Sequence, residues 1–443
     1  MDMTIKTIKP DDSSRKKILL FSLLFMGLSH ILFLKQYLKG ALFALCEIIF
    51  IIFTPQIINK IIGLITLGTP HPELPITQRD NSIFMLIDGV MIIAVILIFI
   101  AVYALSSKSA INEYDEFCIN KSLKNDKGSI SNLFGKSFHI FALAPTIVLI
   151  VFFVVVPLVF SALVAFTNYS APANIPPNST VDWVGFKNFM DLFGGQATWT
   201  GALGRVATWT LVWAVMATVT CYFGGLIMAA VLHESKIKIK PFFRSIFILP
   251  YAIPSVVSMI VWRNLLNGSF GTINRTLMSF GLINGPIPWI SNEWLAKFMC
   301  VVINLWAGFP YFMLLVMGTM TSISADIFEA AKIDGANSFQ TLRKITLPLV
   351  MYQTLPLMIM SFTHNINNFG VIFFLTGGNP IVADSTTTSA AGTDIMVTWI
   401  YKLTITLLKY NYASVLAVMI FIILAPFAIF NFRRTKSYKE GEI

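Results

Sequence analysis

"EAAKIDGANSFQTLRKITLPLV", Glu329–Val350, lies between two long apolar runs, residues 297–320 and 350–376. The segment leading into it, "DIFEAAKI", has the composition of a helix, with Asp326 placed as its N-terminal cap. Gly335 can stop that helix, because glycine accepts the positive φ of a helix C-terminus. "SFQTLRKI" then supplies a second short helix, and Pro348 opens the next apolar run. Helix, glycine break, helix, proline predicts an L-shaped hairpin at a membrane surface, joining two helices that cross the bilayer.

Outward from this hairpin the chain repeats the same kind of segment. Of its 443 residues 56% are hydrophobic and 12% charged, and the mean hydropathy is +0.74; soluble domains carry about 25% charged residues. A spanning helix needs about 20 mostly apolar residues. Candidates run over 40–60, 83–105, 138–166, 206–232, 244–265, 297–320, 350–376 and 412–432. The expected fold class is therefore all-α, a polytopic membrane protein with about eight transmembrane helices.

A ninth apolar run, Ile18 to Leu34, is shorter and is interrupted by Gly27, Ser29 and His30. Arg15, Lys16 and Lys17 precede it, and Lys35 and Lys39 follow. Basic residues stay on the cytoplasmic side, so this run is expected to be re-entrant or interfacial. With both termini inside, the cytoplasmic stretches hold most of the 32 Lys and Arg residues, and the basic "KIKIKPFFR" loop is among them. The net charge of +10 is thus a matter of membrane topology, and no nucleic-acid partner is implied. The expected organisation is a cytoplasmic N-terminus with the re-entrant or interfacial segment (1–39), then two additional spans with a cytoplasmic loop (40–137). A core of six spans follows (138–435), and a cytoplasmic tail ends the chain (436–443). No small-residue cleavage site follows the first apolar run, so no cleavable signal peptide is expected.

Signatures of catalysis are missing from the sequence. "GSISNLFGKS", Gly128–Ser137, ends like a phosphate-binding loop, but six residues separate its glycines where that loop needs four. Cys46, Cys118, Cys221 and Cys300 show neither metal spacing nor a disulfide framework. No catalytic residue, metal or cofactor is assigned. Among the spans, Glu47 and Asp88 are the early carboxylates, and the later spans hold almost no ionisable group apart from His364. A proton-driven carrier usually buries such groups as relays, so that alternative is weakened without being removed.

The hairpin is similar to the EAA loop of importer-type ABC permeases, through Glu329, Ala330, Ala331, Asp334, Gly335, Ile345 and Pro348. Ala336 and Gln340 extend the likeness to the sugar-importing branch. "AFTNYS" (Ala165–Ser170), "ILPYAIPSVVS" (Ile248–Ser258), "NLWAGFPYFM" (Asn304–Met313) and "SFTHNINNFGVIFFLTGGNP" (Ser361–Pro380) resemble, in the same order, the larger membrane subunit of maltose/maltodextrin importers. The likeness covers roughly residues 138–435. One departure is clear. The segment from Asn168 to Arg205 is too short and too rich in Pro, Asn and Gly for the large folded insertion that Gram-negative members carry there.

The resemblance implies a permease subunit for a neutral oligosaccharide, most closely maltodextrin, with galacto-oligosaccharides or mixed sugars as the alternative within the class. It implies a second homologous permease chain, an ATPase dimer that seats the hairpin, and an extracellular sugar-binding lipoprotein. It also implies a multi-pass protein of the cell membrane, by analogy that of a Gram-positive bacterium. The sugar site it implies carries to Tyr251, Ser255, Asn304, Gly308, Ser361, Asn365 and Asn368.

Spacing is compatible with that site. Ser361, Asn365 and Asn368 stand at i, i+4 and i+7, Asn304 and Gly308 at i, i+4, and so do Tyr251 and Ser255, bracketed by Pro250 and Pro254. Amides and hydroxyls both donate and accept, as sugar hydroxyls do. The competing reading is interhelical glue, at about 0.6–2 kcal/mol per contact. Asn367, off the Ser361 face, stays with glue, and His364 is read as packing.

Overall fold

A computed structural model describes residues 12–120, 138–234 and 239–433. The Gly128–Ser137 stretch, residues 236–238 of the basic loop and the tail at 436–443 lie outside them. The described residues form helices joined by loops. Among the described residues seven helices are long and apolar enough to cross a membrane, and a bent pair supplies an eighth span if counted as one. The chain divides into two compact units, Met1–Val164 with Pro172–Trp183, and Ala165–Ala171 with Val184–Ile443.

The first unit contains α1 (Asp12–Leu24), α2 (Leu28–Leu32), α3 (Tyr37–Thr66), α4 (Ser82–Asn120) and α5 (Ala142–Val164). Neither α1 nor α2 is long enough to span. Between them the chain turns at Gly27, whose φ is 81° and where a Cβ would fall 2.1 Å from the Gly40 carbonyl oxygen. Only glycine meets both conditions. The Met26 N–H at this turn donates to the Glu47 carboxylate of α3. Ile18 and Leu34 both pack on Ala110 of α4, so the hairpin leaves and returns at one level. α1 runs antiparallel to α4: Arg15 pairs with Asp115 at 3.1 Å, and the Tyr103 hydroxyl donates to the Leu23 carbonyl at 2.9 Å. Asp88 of α4 pairs with Lys60 of α3. Both early carboxylates therefore serve structural partners.

The second unit is built around α6 (Ala197–Glu234), the most enclosed of the candidate spans, with half of its most apolar window buried. It packs along α10 (Glu293–Thr321) at very close range. A Cβ at Gly225 would meet the Phe309 oxygen at 2.7 Å, and one at Gly308 would meet the Cys221 sulfur at 2.8 Å. Small residues let membrane helices approach in this way. Trp209, Trp213, Met259, Ile303 and Ile372 form one part of the core, and Cys221, Tyr222, Phe312, Met313 and Val350 another.

The fifth expected span is two helices, α7 (Lys240–Ala252) and α8 (Ser255–Leu265), bent by 88°. Ile253 lies in the extended region (φ −82°, ψ 133°), as the residue before a proline prefers. Pro254 has no N–H with which to continue α7. A short surface helix, α9 (Thr272–Ser279), follows α8, and α10 is capped by Asn292, whose side chain accepts from the Leu295 N–H.

The hairpin consists of α11 (Ala325–Ile333) and the start of α12 (Ser338–Ile366). Two details differ from expectation. The cap of α11 is Ser324, whose hydroxyl accepts from the Asp326 N–H, and Asp326 sits inside the first turn. The second helix does not end before the membrane: it runs on through Pro348 as one rod. A wider turn over Leu342–Thr346 precedes the proline, which cannot donate to the Lys344 carbonyl. After α12 the chain breaks at Asn367 and Asn368, resumes as α13 (Phe369–Thr376), and ends with α14 (Met396–Ile405) and α15 (Tyr410–Phe432).

Candidate functional site

The membrane candidates fall into two clusters held by α6. Asn365 is 5% exposed; its amide donates to the Thr218 hydroxyl at 3.0 Å and faces the Ser361 hydroxyl at 3.5 Å. Its backbone carbonyl accepts from the Trp213 indole at 3.1 Å. Asn368 has left the helix, so the expected i+7 alignment with Ser361 does not hold, but its amide donates to the Asn365 side chain at 3.3 Å. Ser361, Asn365 and Asn368 thus form one hydrogen-bonded chain with Asn368 at its accessible end.

The second cluster is on α10. Asn304 is 7% exposed, and its amide donates to the Cys221 sulfur at 3.3 Å. Gly308 faces the same sulfur, so its missing side chain makes room for α6. Thr218 and Cys221 are one turn apart on α6, and each anchors one cluster. This pair was missed in sequence, although Trp213, Ala217, Thr218 and Cys221 recur at helical spacing.

Tyr251 and Ser255 do not share a helix face, because the break at Ile253–Pro254 separates them. Both are exposed. The Tyr251 ring lies 6.1 Å from that of Tyr311, which stands i+7 from Asn304 on α10. Tyr311 belongs to the same face and was also missed. Asn367 and His364 are exposed, so neither takes the packing role within this chain that sequence suggested for it.

Chemically, the amides and hydroxyls of the two clusters form an uncharged set of donors and acceptors. Fixed charge among the described residues of the second unit lies elsewhere, mainly near the ends of the spans and in the loops. Lys297 is paired with Glu293 at 2.6 Å and flanked by the rings of Trp209 and Trp294. Arg205 binds Asp384 at 2.6 Å and the carbonyls of Ala390 and Ala391. Asp394 is buried and binds Lys402 at 2.6 Å. Burial pushes its carboxyl above the ordinary range, and the lysine opposes that shift.

The hairpin presents the other candidate surface. Gly335 has φ 76°, its N–H donates to the Lys332 carbonyl, and the Ala336 N–H donates to the Ala331 carbonyl at 2.9 Å. These are the two bonds of a Schellman stop. Asn337 and Gln340 then cap the next helix reciprocally. Glu329, Ala330, Asp334, Gly335 and Pro348 are exposed, Ile345 is half-buried and Ala331 is buried. Ile333 and Phe339 project from the bend with exposures of 87% and 67%.

Residues 221–434 match the family model described as the binding-protein-dependent transport system inner membrane component. The chain is 35% identical to the galactooligosaccharides transport system permease protein GanP of Bacillus subtilis, over 92% of this chain and 94% of that protein. It is 32% identical to the maltodextrin transport system permease protein MalC of Streptococcus pneumoniae, over 99% of this chain and all of that one. With MalF of Salmonella typhimurium it shares 36% identity over 59% of this chain and 51% of MalF. Among solved structures, a bacterial alginate ABC transporter chain superposes with a TM-score of 0.56 at 18% identity, covering 70% of this chain and 98% of that one, which speaks to the fold alone. A Schellman-stopped hairpin between two spans, an uncharged polar cluster on α6, and identity running the length of bacterial permeases lead to one assignment: the chain belongs to the family of binding-protein-dependent transport system inner membrane components.

Proposed function

We propose that this chain is one of two permease subunits of an ATP-driven importer that takes a neutral oligosaccharide, maltodextrin first among them, from an extracellular binding protein. The observation that carries the proposal is the hairpin. Ile333 and Phe339 lie bare on a rigid bend outside the apolar spans, where water would otherwise cover them at a cost. A partner cleft that buries these side chains gains their transfer energy, and the ATPase subunit supplies that cleft. Closure of the ATPase dimer on ATP would move the hairpin. Because α12 is continuous from Ser338 to Ile366, the movement would reach Ser361 and Asn365 without an intervening joint.

For the sugar, Tyr251, Ser255, Ser361 and Asn368 are proposed as contacts, with Tyr311 beside them. Asn304, Gly308 and Asn365 are proposed to hold that surface in place through Cys221 and Thr218. The Bacillus and Streptococcus relatives support a Gram-positive membrane, and in such a membrane the proposed carrier for the sugar would be a lipoprotein. They also leave galacto-oligosaccharides as the second substrate class. The test is uptake into proteoliposomes holding this chain with its partner permease and ATPase, supplied with the binding protein and either sugar class. ATP-dependent uptake of the maltodextrin is expected. Uptake of the galacto-oligosaccharide alone would transfer the proposal to that class, and uptake without ATP or binding protein would refute it.

A further inference from the structure

The end of α1 and the face of α4 opposite it border a groove of about 440 Å³, lined by Leu23, Phe99, Ile100, Tyr103, Ala104 and Ser107. Its lining is almost wholly apolar, which suits neither a sugar nor a nucleotide. One group breaks that pattern: Ser107 is 7% exposed, and its hydroxyl has no hydrogen-bond partner among the described residues. A buried hydroxyl left unpaired is costly, so this position calls for an acceptor that the protein does not provide.

Height in the bilayer narrows the choice of acceptor. The apolar run of α4 ends near residue 105, after about 20 residues, which is the thickness of the hydrocarbon. Ser107 therefore sits at the level of the glycerol esters, and Phe99 lies two turns deeper. Beyond Ser107 come cations. Lys108 continues the Ile100–Ala104 stripe of α4, and on α1 Lys16 stands i, i+7 from Leu23, with Lys17 beside it. All three lysines are exposed and have no ion-pair partner among the described residues, whereas neighbouring Arg15 and Lys39 are held by Asp115 and Glu113.

Apolar slot, then the one lining hydroxyl that is unpaired among the described residues (Ser22 and Ser106, also unpaired, lie outside the lining), then unpaired cations: along the helix axis this is the order of the parts of a phospholipid. We propose that the groove holds one anionic glycerophospholipid. Its acyl chain lies along Leu23, Phe99 and Ile100, an ester carbonyl accepts from the Ser107 hydroxyl, and Lys16, Lys17 and Lys108 meet the phosphate. Such a lipid would clip the α1–α2 hairpin to α4, where the Tyr103–Leu23 bond is a sparse link between the ends of α1 and the middle of α4.

The test uses the full chain in vesicles of phosphatidylcholine mixed with phosphatidylglycerol. Each preparation carries a trace of phosphatidylglycerol or phosphatidylcholine with a photoreactive group in its acyl chain. The phosphatidylglycerol probe should label the peptides containing Leu23 and Phe99–Ser107 several-fold more than the phosphatidylcholine probe. Ser107→Ala, and separately the double change Lys16→Gln/Lys17→Gln, should each lower that labelling several-fold while labelling elsewhere on the chain stays constant. Ala104→Phe, which fills the groove, should remove it. Equal labelling by the two probes would mean ordinary boundary lipid and would overturn the proposal. So would labelling that survives the double lysine change, a surface substitution that leaves the fold intact.

Discussion

Asn365 and Asn368 are three positions apart, and the structure gives them opposite situations. Asn365 is buried and spends its amide on Thr218, whereas Asn368 is half-buried at the end of the same chain of bonds. Alanine at 365 should strand the partners on α6, costing about 1–3 kcal/mol, and should lower the melting temperature and yield of the assembled complex. Alanine at 368 should leave assembly and basal ATP hydrolysis intact and reduce uptake several-fold, with sugar capture by the binding protein unchanged. Full uptake by Asn368→Ala would return this asparagine to a structural role. A second residue-scale prediction concerns Asp394 and Lys402. Lys402→Met leaves a buried carboxylate unpaired and should destabilise by about 3–5 kcal/mol, whereas adding Asp394→Asn should recover much of that loss. A carboxyl whose folded-state pKa is raised contributes most below its unfolded value, and that contribution is lost as the pH rises through the folded value. The Lys402→Met deficit should therefore shrink as the pH falls toward the ordinary carboxylate range, which thermal denaturation across pH will show.

At the scale of elements, the bend of the hairpin rests on Gly335. Nothing lies within 4 Å of a Cβ built there, so the cost of a side chain is conformational, about 1–2 kcal/mol for a branched residue at φ 76°. Gly335→Val should insert into the membrane normally but uncouple ATP hydrolysis from uptake, while Gly335→Asn, which tolerates positive φ, should be much milder. Equal uptake by both variants would remove this bend from the coupling route. The bend was legible in sequence because glycine, the acidic first turn and the following proline act locally. The cap of α11 was not, since Ser324 and Asp326 can both cap and a shift of two residues decides between them. The break between α7 and α8 was not read from the sequence, which gave one span over 244–265: Pro254 marks where an interruption can fall, but the 88° angle depends on tertiary packing. The departure of Asn368 from the helix left less trace, because no proline or glycine precedes it. The roles of Thr218 and Cys221 were not legible, because a residue that fixes another helix shows only once the two are in contact.

At the scale of the whole molecule, sidedness is the open property with the plainest test. Tyr37 and Leu38 are exposed and directly follow the α1–α2 hairpin. If the hairpin turns back without crossing, cysteines at these positions should resist an impermeant thiol reagent in intact cells and react after permeabilisation. Labelling in intact cells would place them outside and invert the assignment of the basic loops. The fold class was readable from composition and hydropathy because a bilayer imposes one length on every span. The assignment of α5 and Pro172–Trp183 to the first compact unit, with Ala165–Ala171 and the residues from Val184 onward in the second, had no counterpart in the hydropathy pattern, which marks apolar length and not neighbours.

The break at Ile253–Pro254 has a further consequence. The last turn of α7 leaves backbone carbonyls without intrahelical donors, and the first turn of α8 leaves N–H groups without acceptors. A negative half-helix end and a positive one therefore meet at a single corner, so their fields oppose each other and no net charge is favoured there. An anion would find only one of the two ends welcoming, and a cation only the other. A hydroxyl, which gives one hydrogen bond and takes others, can use both ends, so if the proposed sugar meets this corner the backbone alone would favour an uncharged polyol there, whatever side chains stand beside it.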